Sequence, residues 1–141
     1  MSYASRDDMV NRFGDLVVIQ LTDRERRAEI GESVLANALE DASAEIDTYL
    51  ASRYRVPVKT HARFLAGLCC DIARYRLSGS GTCETDPVRV RYRDAIRFLE
   101  RAAAGTTTLG LDVTDTPIQS ENTVQFDLGT RLFSDSDRGG F

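Results

Sequence analysis

The sequence predicts an all-α protein, a compact helical bundle of three main helices preceded by short N-terminal helices and followed by an irregular C-terminal arm. Three observations carry that prediction. Between Glu32 and Tyr54 apolar residues recur at helical spacing without interruption. Two further stretches, roughly 61–77 and 87–104, repeat the period and are bounded by start and stop signals. After Gly105 the chain turns to Thr, Gly and Asp with scattered apolar residues, too few to build a core of their own. The 141 residues therefore divide into one helical body, 1–105, and an extended arm, 106–141.

Taken in order, Ser5 followed by Asp8 reads as a capping box, and Met9, Val10 and Phe13 give a short helix ended by Gly14. Asp15 is placed to cap a second apolar turn, Leu16 to Leu21, and both short helices should fold over the main one. The next ten residues, TDRERRAEIG from Thr22 to Gly31, superficially resemble a calcium loop starting at Asp23. The fifth position is Arg27, the sixth Ala28 instead of glycine and the twelfth Val34 instead of glutamate, so a solvated linker and helix entry is expected.

In the main helix, Val34, Leu35, Ala38, Leu39, Ala42, Ile46, Tyr49 and Leu50 make the apolar stripe. Asn37, Asp41, Glu45, Thr48 and Ser52 make a polar ridge that must face water or a partner. Pro57 disfavours helix at the residue before it, so Arg53 to Val58 should be extended. Thr60 can cap a helix from about His61 to Leu77 whose inward face is Phe64, Leu65, Leu68, Cys69, Ile72, Ala73 and Leu77. After SGSGT, Asp86-Pro87 marks a clear start, with the acid as cap and proline at the first helical position. This last helix should turn Val88, Tyr92, Ala95, Ile96, Leu99 and Ala103 inward, with Arg89, Arg93, Arg97 and Arg101 drifting along its outside. In the arm, Thr123 to Phe126 alternates weakly like a short strand, and Phe126, Leu132, Phe133 and Phe141 are apolar anchors suited to docking on a partner or on the body.

Composition narrows the function classes. No apolar run approaches the length that crosses a bilayer, so no membrane partner is expected. The opening MSYASRDD lacks the charged start and apolar middle of a signal peptide, so the protein is expected to stay where it is made, in the cytoplasm. Residues 1–105 hold 16 basic against 16 acidic side chains and residues 106–141 hold 2 against 6, so the whole net charge of −4 lies in the arm. A neutral body leaves no general nucleic-acid footprint. Cys69, Cys70 and Cys83 offer no metal-type spacing, and adjacent cysteines on a helix point apart, so buried thiols are expected.

Catalysis requires a nucleophile, an acid or base, or a metal held in mutual reach. The single histidine, His61, has no recognisable partner, no phosphate-binding glycine loop or metal cluster stands in the chain, and the acidic pairs Asp7-Asp8 and Glu40-Asp41 are accounted for by caps and helix surfaces. A protein that is not an enzyme and carries no cofactor is the expectation. What remains is binding. The arginine stripe Arg89, Arg93, Arg97 and Arg101 suits either nucleic-acid phosphates, diluted by Asp94 and Glu100, or the carboxylates Asp41 and Glu45 of a neighbouring subunit. Two different complementary faces make a head-to-tail contact, which closes into a ring when the rotation allows.

The succession SYASRDDMVNRFG, QLTDR, LANALEDASAEIDTYLASRYRVP, CCDIARYRL and VRYRDAIRFLERAAAGTTTLGL resembles the Mu-like phage proteins typified by the gene-thirty-six product, over about residues 2–111. The resemblance implies a structural virion protein at the neck, made in the host cytoplasm: a head-tail connector or adaptor below the portal. Copies would form a homo-oligomeric ring with the portal's twelvefold symmetry. Its partners would be the portal, the next neck or tail-terminator protein, and DNA passing through the lumen without sequence-specific binding. A small helical DNA-binding or packaging accessory protein using the arginine stripe is the alternative, with a tail-completion protein of the same core as a third. The relatives' Asp- and Gly-rich versions of the Thr22 to Gly31 loop are not matched here, and the family supplies no catalytic residues.

Overall fold

The computed structural model describes residues 1–59, 62–79 and 86–109, which hold five helices: α1 Arg6–Phe13, α2 Asp15–Thr22, α3 Glu32–Leu50, α4 Ala62–Ser78 and α5 Pro87–Ala104. The three long helices pack on one another, with α4 against both α3 and α5, and the two short ones lie across α3 and α4. The all-α bundle is thus as the periodicity predicts, and no strand occurs among the described residues. Thr60, His61, Cys83, the strand-like run Thr123 to Phe126 and nearly all of the arm lie outside them.

Local chemistry sets the helix ends. The capping box forms: the Ser5 hydroxyl accepts the Asp8 N–H at 3.3 Å and the Asp8 carboxylate accepts the Ser5 N–H at 2.8 Å. Gly14 ends α1 with φ +88°, a conformation that glycine adopts without steric cost, and its N–H bonds to the Val10 carbonyl. Because Gly14 is also the N-cap of α2, Asp15 sits inside the helix instead of capping it. At α5 the Asp86 carboxylate accepts the Val88 N–H at 2.9 Å, Pro87 follows, and Gly105 closes the helix in the left-handed conformation at φ +80°.

One face of each helix is sealed. Leu35, Leu39, Ile46 and Leu50 of α3, Leu65, Cys69 and Ile72 of α4 and Leu99 of α5 are buried with Met9 of α1 and Val18 of α2. Two expectations need correction, and two further burial states had no expectation behind them. α3 stops at Leu50, not Tyr54, because the Arg53 N–H reaches only three residues back to the Leu50 carbonyl and tightens the last turn, letting Tyr54 fold into the core. Phe64 is not inward: it stands on the α5 flank of the first described turn of α4 and stays 48% exposed. Leu16 is exposed because α2, apolar all round, finds cover only on the Val18 side. Ser43, from no expected face, is buried.

The charged connection from Thr22 to Gly31 closes on itself. Thr22 accepts the Gly31 N–H on its hydroxyl at 3.0 Å, and the Asp23 carboxylate accepts the backbone N–H groups of Arg27 and Ala28. Those bonds, Arg27's first, hold the Asp23 carboxyl below the usual carboxylate range. Its oxygens are turned inward on the loop's own backbone. A Cβ on Gly31 would lie 2.4 Å from the Thr22 carbonyl oxygen, so glycine is required at this crossing.

Replacing the fully buried Ile46 by alanine removes a side chain shared by the whole bundle. Ile46→Ala should lower unfolding free energy by about 2–5 kcal/mol in urea titrations, whereas Leu16→Ala, at an exposed position, should change it by less than about 0.5 kcal/mol.

Candidate functional site

The residues singled out for contact fall into three groups: exposed, engaged within the subunit, and outside the described residues. Asp41 on α3 and Arg93, Arg97 and Arg101 on α5 are exposed. At 100° per residue the arginines drift round α5 from the flank of Tyr92 at Arg89 to the flank of Phe98 at Arg101. Arg89 is half-buried and engaged within the subunit. Phe126, Leu132, Phe133 and Phe141 lie outside the described residues.

Glu45 is not part of an open ridge. Its carboxylate accepts two bonds from the Arg76 guanidinium of α4, at 2.6 and 3.1 Å, and one from the Tyr92 hydroxyl of α5 at 3.0 Å. Only 15% of the Glu45 side chain is exposed. One carboxylate therefore ties three helices together. Tyr92 in turn stacks on Tyr75 of α4, with centroids 4.0 Å apart and planes 9° from parallel. Burial first, then the Glu45 carboxylate, pushes the Tyr92 phenol up to about 12, because each disfavours a second negative charge there.

A second polar tie holds the N-terminal strap. The Tyr3 N–H donates to the Ser43 hydroxyl at 3.0 Å, while Ser43 donates to the Leu39 carbonyl at 2.8 Å. The Tyr3 hydroxyl donates to the Asp47 carboxylate and accepts the Val58 N–H at 2.9 Å, which joins the strap to α3 and to the connection after it. A third tie links α1 to α4, where Arg12 grips Asp71 with two bonds of 2.9 and 3.3 Å. Among the described residues every buried side-chain nitrogen or oxygen has a partner.

Sequence reasoning missed Arg76, Tyr3, Ser43 and Arg12 as partners. Ser43 alone left a trace, a hydroxyl inside the apolar stripe of α3. The cysteines agree with the buried-thiol expectation where they are described. Cys69 and Cys70 are buried, and burial above all raises both thiols, Cys70 to about 12, which keeps them protonated and unreactive at neutral pH.

Outside the Glu45 knot, Asp41, Ala44, Thr48 and Tyr49 line an open groove of about 520 Å³ with Glu45 and Arg76 at its wall. Ala44 and Thr48 make a low floor there, so a guanidinium from another molecule can approach Asp41 without displacing a large side chain. The arrangement offers an acidic groove on α3 and a separate basic face on α5. It is suited to holding a partner by charge and shape.

The family model described as Bacteriophage Mu, Gp36 matches residues 3–128, past the helical body and into the arm. The Mu-like prophage FluMu protein gp36 of Haemophilus influenzae is 37% identical over 139 residues, covering 99% of this chain and 97% of that protein. Gene product J of Escherichia phage Mu is 31% identical over 141 residues, covering 99% of each.

The Tyr92 phenol sets a testable pH dependence. Below pH 10 both folded and unfolded chains keep the phenol proton, and its contribution is fully present. Between pH 10 and about 12 the unfolded chain ionises while the folded one does not, so stability falls across that window. Tyr92→Phe should flatten part of this fall, leaving the share of Tyr3, whose phenol is also raised. The same variant should cost about 1 kcal/mol at pH 7 through the lost bond to Glu45, both read from urea unfolding.

Proposed function

The chain belongs to the Bacteriophage Mu, Gp36 family, and from that premise we propose that it is a structural protein of the tailed-phage virion, a connector that joins head to tail below the portal. Its copies meet head to tail, the α3 groove around Asp41 of one against the Arg93 region of the next, and twelve such contacts close a ring coaxial with the portal. The observation that carries this reading is the separation of opposite charges on two exposed helix faces of a body that is neutral as a whole. Exposed ion pairs contribute roughly 0–1 kcal/mol each, so the ring gains its strength from repetition and from its seat against the portal.

Glu45 plays a different part from Asp41 in this reading. It is held by Arg76 and Tyr92 in its own subunit, so it shapes the groove and leaves Asp41 as the acid offered to a neighbour. No bond is made or broken and no cofactor is used. The way the acids are employed supports that: Asp8 and Asp86 cap helices, Asp23 closes a loop, and Glu45, Asp47 and Asp71 tie elements together. No helix among the described residues is long and apolar enough to cross a membrane. The place of action is the neck of the particle after synthesis in the host cytoplasm, with the portal and the next neck or tail-terminator protein as partners. A neutral ring wall lets the duplex slide, whereas one that neutralised many phosphates would retain it.

The exposed arginines of α5 also favour a second reading, a DNA-binding packaging accessory protein. Duplex affinity separates the two. For the connector, fluorescence anisotropy at moderate salt should detect no binding, and salt-dependent binding lost in Arg93→Glu with Arg97→Glu would establish the accessory role.

A charge swap tests the ring contact. Asp41→Lys should abolish loading of the protein onto purified portal rings, and Arg93→Glu in the same chain should restore it, as read from the mass of the complex by sedimentation. Unchanged loading of Asp41→Lys would eliminate the contact. Glu45→Lys is unsuitable because it also breaks the tie between three helices.

A further inference from the structure

Among the large apolar side chains of the described helices, Leu16 and Phe64 stand exposed, and they lie on different parts of the surface. Leu16, at the start of α2, is 76% open to solvent, with Ile19 one turn on half-buried on the same side. Phe64, near the start of α4, is 48% open although its ring meets Phe98 of α5 edge to face at 4.9 Å. Neither covers the other, since both remain open in one subunit. α2 packs on α1, α3 and α4 and makes no contact with α5, so the Leu16 side and the Phe98 side belong to separate surfaces.

Each apolar centre has a charge beside it, and the two charges are opposite. Asp15, next to Leu16, is exposed; Arg97 stands next to Phe98 and Arg101 one turn on, both exposed, against Asp94 one turn back. Among the described residues, Asp15, Arg97 and Arg101 take part in no ion pair.

We propose that these surfaces meet between two copies of the chain, Leu16 of one on the Phe64 and Phe98 rings of the next and Asp15 on Arg97 and Arg101, as the apolar centre of the ring contact. An aromatic pair that receives an aliphatic side chain, with charges at its rim, has the composition of a protein–protein hot spot. The contact deepens the head-to-tail ring and rests on that reading. Asp41 with Arg93 alone is an exposed ion pair, which orients two surfaces more than it holds them. The spacing of the two contacts agrees. On one surface Arg24, just past the end of α2, lines the cleft that holds Asp41, and Leu16 lies about 9 Å back along α2 from that end. On the other, Phe98 lies about 7.5 Å beyond Arg93 along α5 and Arg101 about 12 Å. Because the two surfaces are unlike, each bound copy still offers one of them to a further copy until the ring closes.

The test mixes light full-length chain carrying Phe64→p-benzoylphenylalanine with an excess of isotopically heavy unmodified chain on purified portal rings, irradiates the assembly and maps it by mass spectrometry. Crosslinks should run from residue 64 of a light chain to residues 15–20 of a heavy one. Their yield should fall roughly tenfold when the heavy chain carries Leu16→Ser. It should fall as well when the light chain carries Arg101→Asp, and return when the heavy chain then carries Asp15→Arg. All these positions are exposed, and unchanged helical circular dichroism verifies the fold of each variant. If the unmodified chain fails to load onto portal rings, as read by sedimentation, the ring falls and this contact with it. If it loads, but crosslinks land on the portal, elsewhere on the heavy chain or nowhere, or their yield is indifferent to either substitution or unrestored by Asp15→Arg, the ring stands and this contact is overturned.

Discussion

Among the described residues, the other four helices all pack against α4. Leu65, Cys69 and Ile72 are buried toward α3, Cys70 and Asp71 are buried as well, and the Tyr75 and Phe64 flank meets α5. A helix buried on so much of its circumference cannot be served by one neighbour. It needs α3 on one side, α5 on another and the short N-terminal helices on the remainder, and this need explains why two eight-residue helices that would be marginal alone are held in place. Asp71 is the cost of that arrangement. A buried carboxylate is tolerated only when paired, and Arg12 supplies a two-bond grip from α1.

The same requirement explains the polar ties. Each joins segments far apart in sequence, and each employs a side chain that a helical wheel would assign to solvent or leave unremarked. Glu45 lies on the edge of the α3 stripe where α4 and α5 converge, so its charge is met by Arg76 and Tyr92. Ser43 lies where the N-terminal strap crosses, and one hydroxyl both accepts the Tyr3 N–H and donates to the Leu39 carbonyl. With these acids and hydroxyls engaged internally, the charged side chains left facing outward are mainly those on the rim of the bundle.

Membership in the Mu Gp36 family and the arrangement of those surfaces bear on function at different levels. The family fixes the phage setting. The geometry adds which acid is exposed and which is not: Asp41 is open beside a groove, while Glu45 is committed within the subunit. In the loop from Thr22 to Gly31, Asp23 is satisfied by the loop's own backbone, while Arg24 lines a cleft with Asp41 and Arg76.

By itself the sequence determined the number, order and approximate limits of the helices, the Ser5 and Asp86 caps, the Gly14 and Gly105 stops and most of the buried stripe. These depend on interactions within four or five residues, where a period of 3.6 and the needs of unsatisfied backbone groups are directly legible. Only the tertiary structure decided that α3 ends at Leu50, that Phe64 faces outward, that Glu45 is hydrogen-bonded across three helices while Asp41 stays exposed, and that Tyr3 belongs to Ser43 and Asp47. The physical reason is that a polar side chain can be satisfied by water or by any complementary group brought near. Which group arrives is set by how distant helices pack, 30 or more residues away in sequence for Glu45 and Arg76, and no local pattern records it.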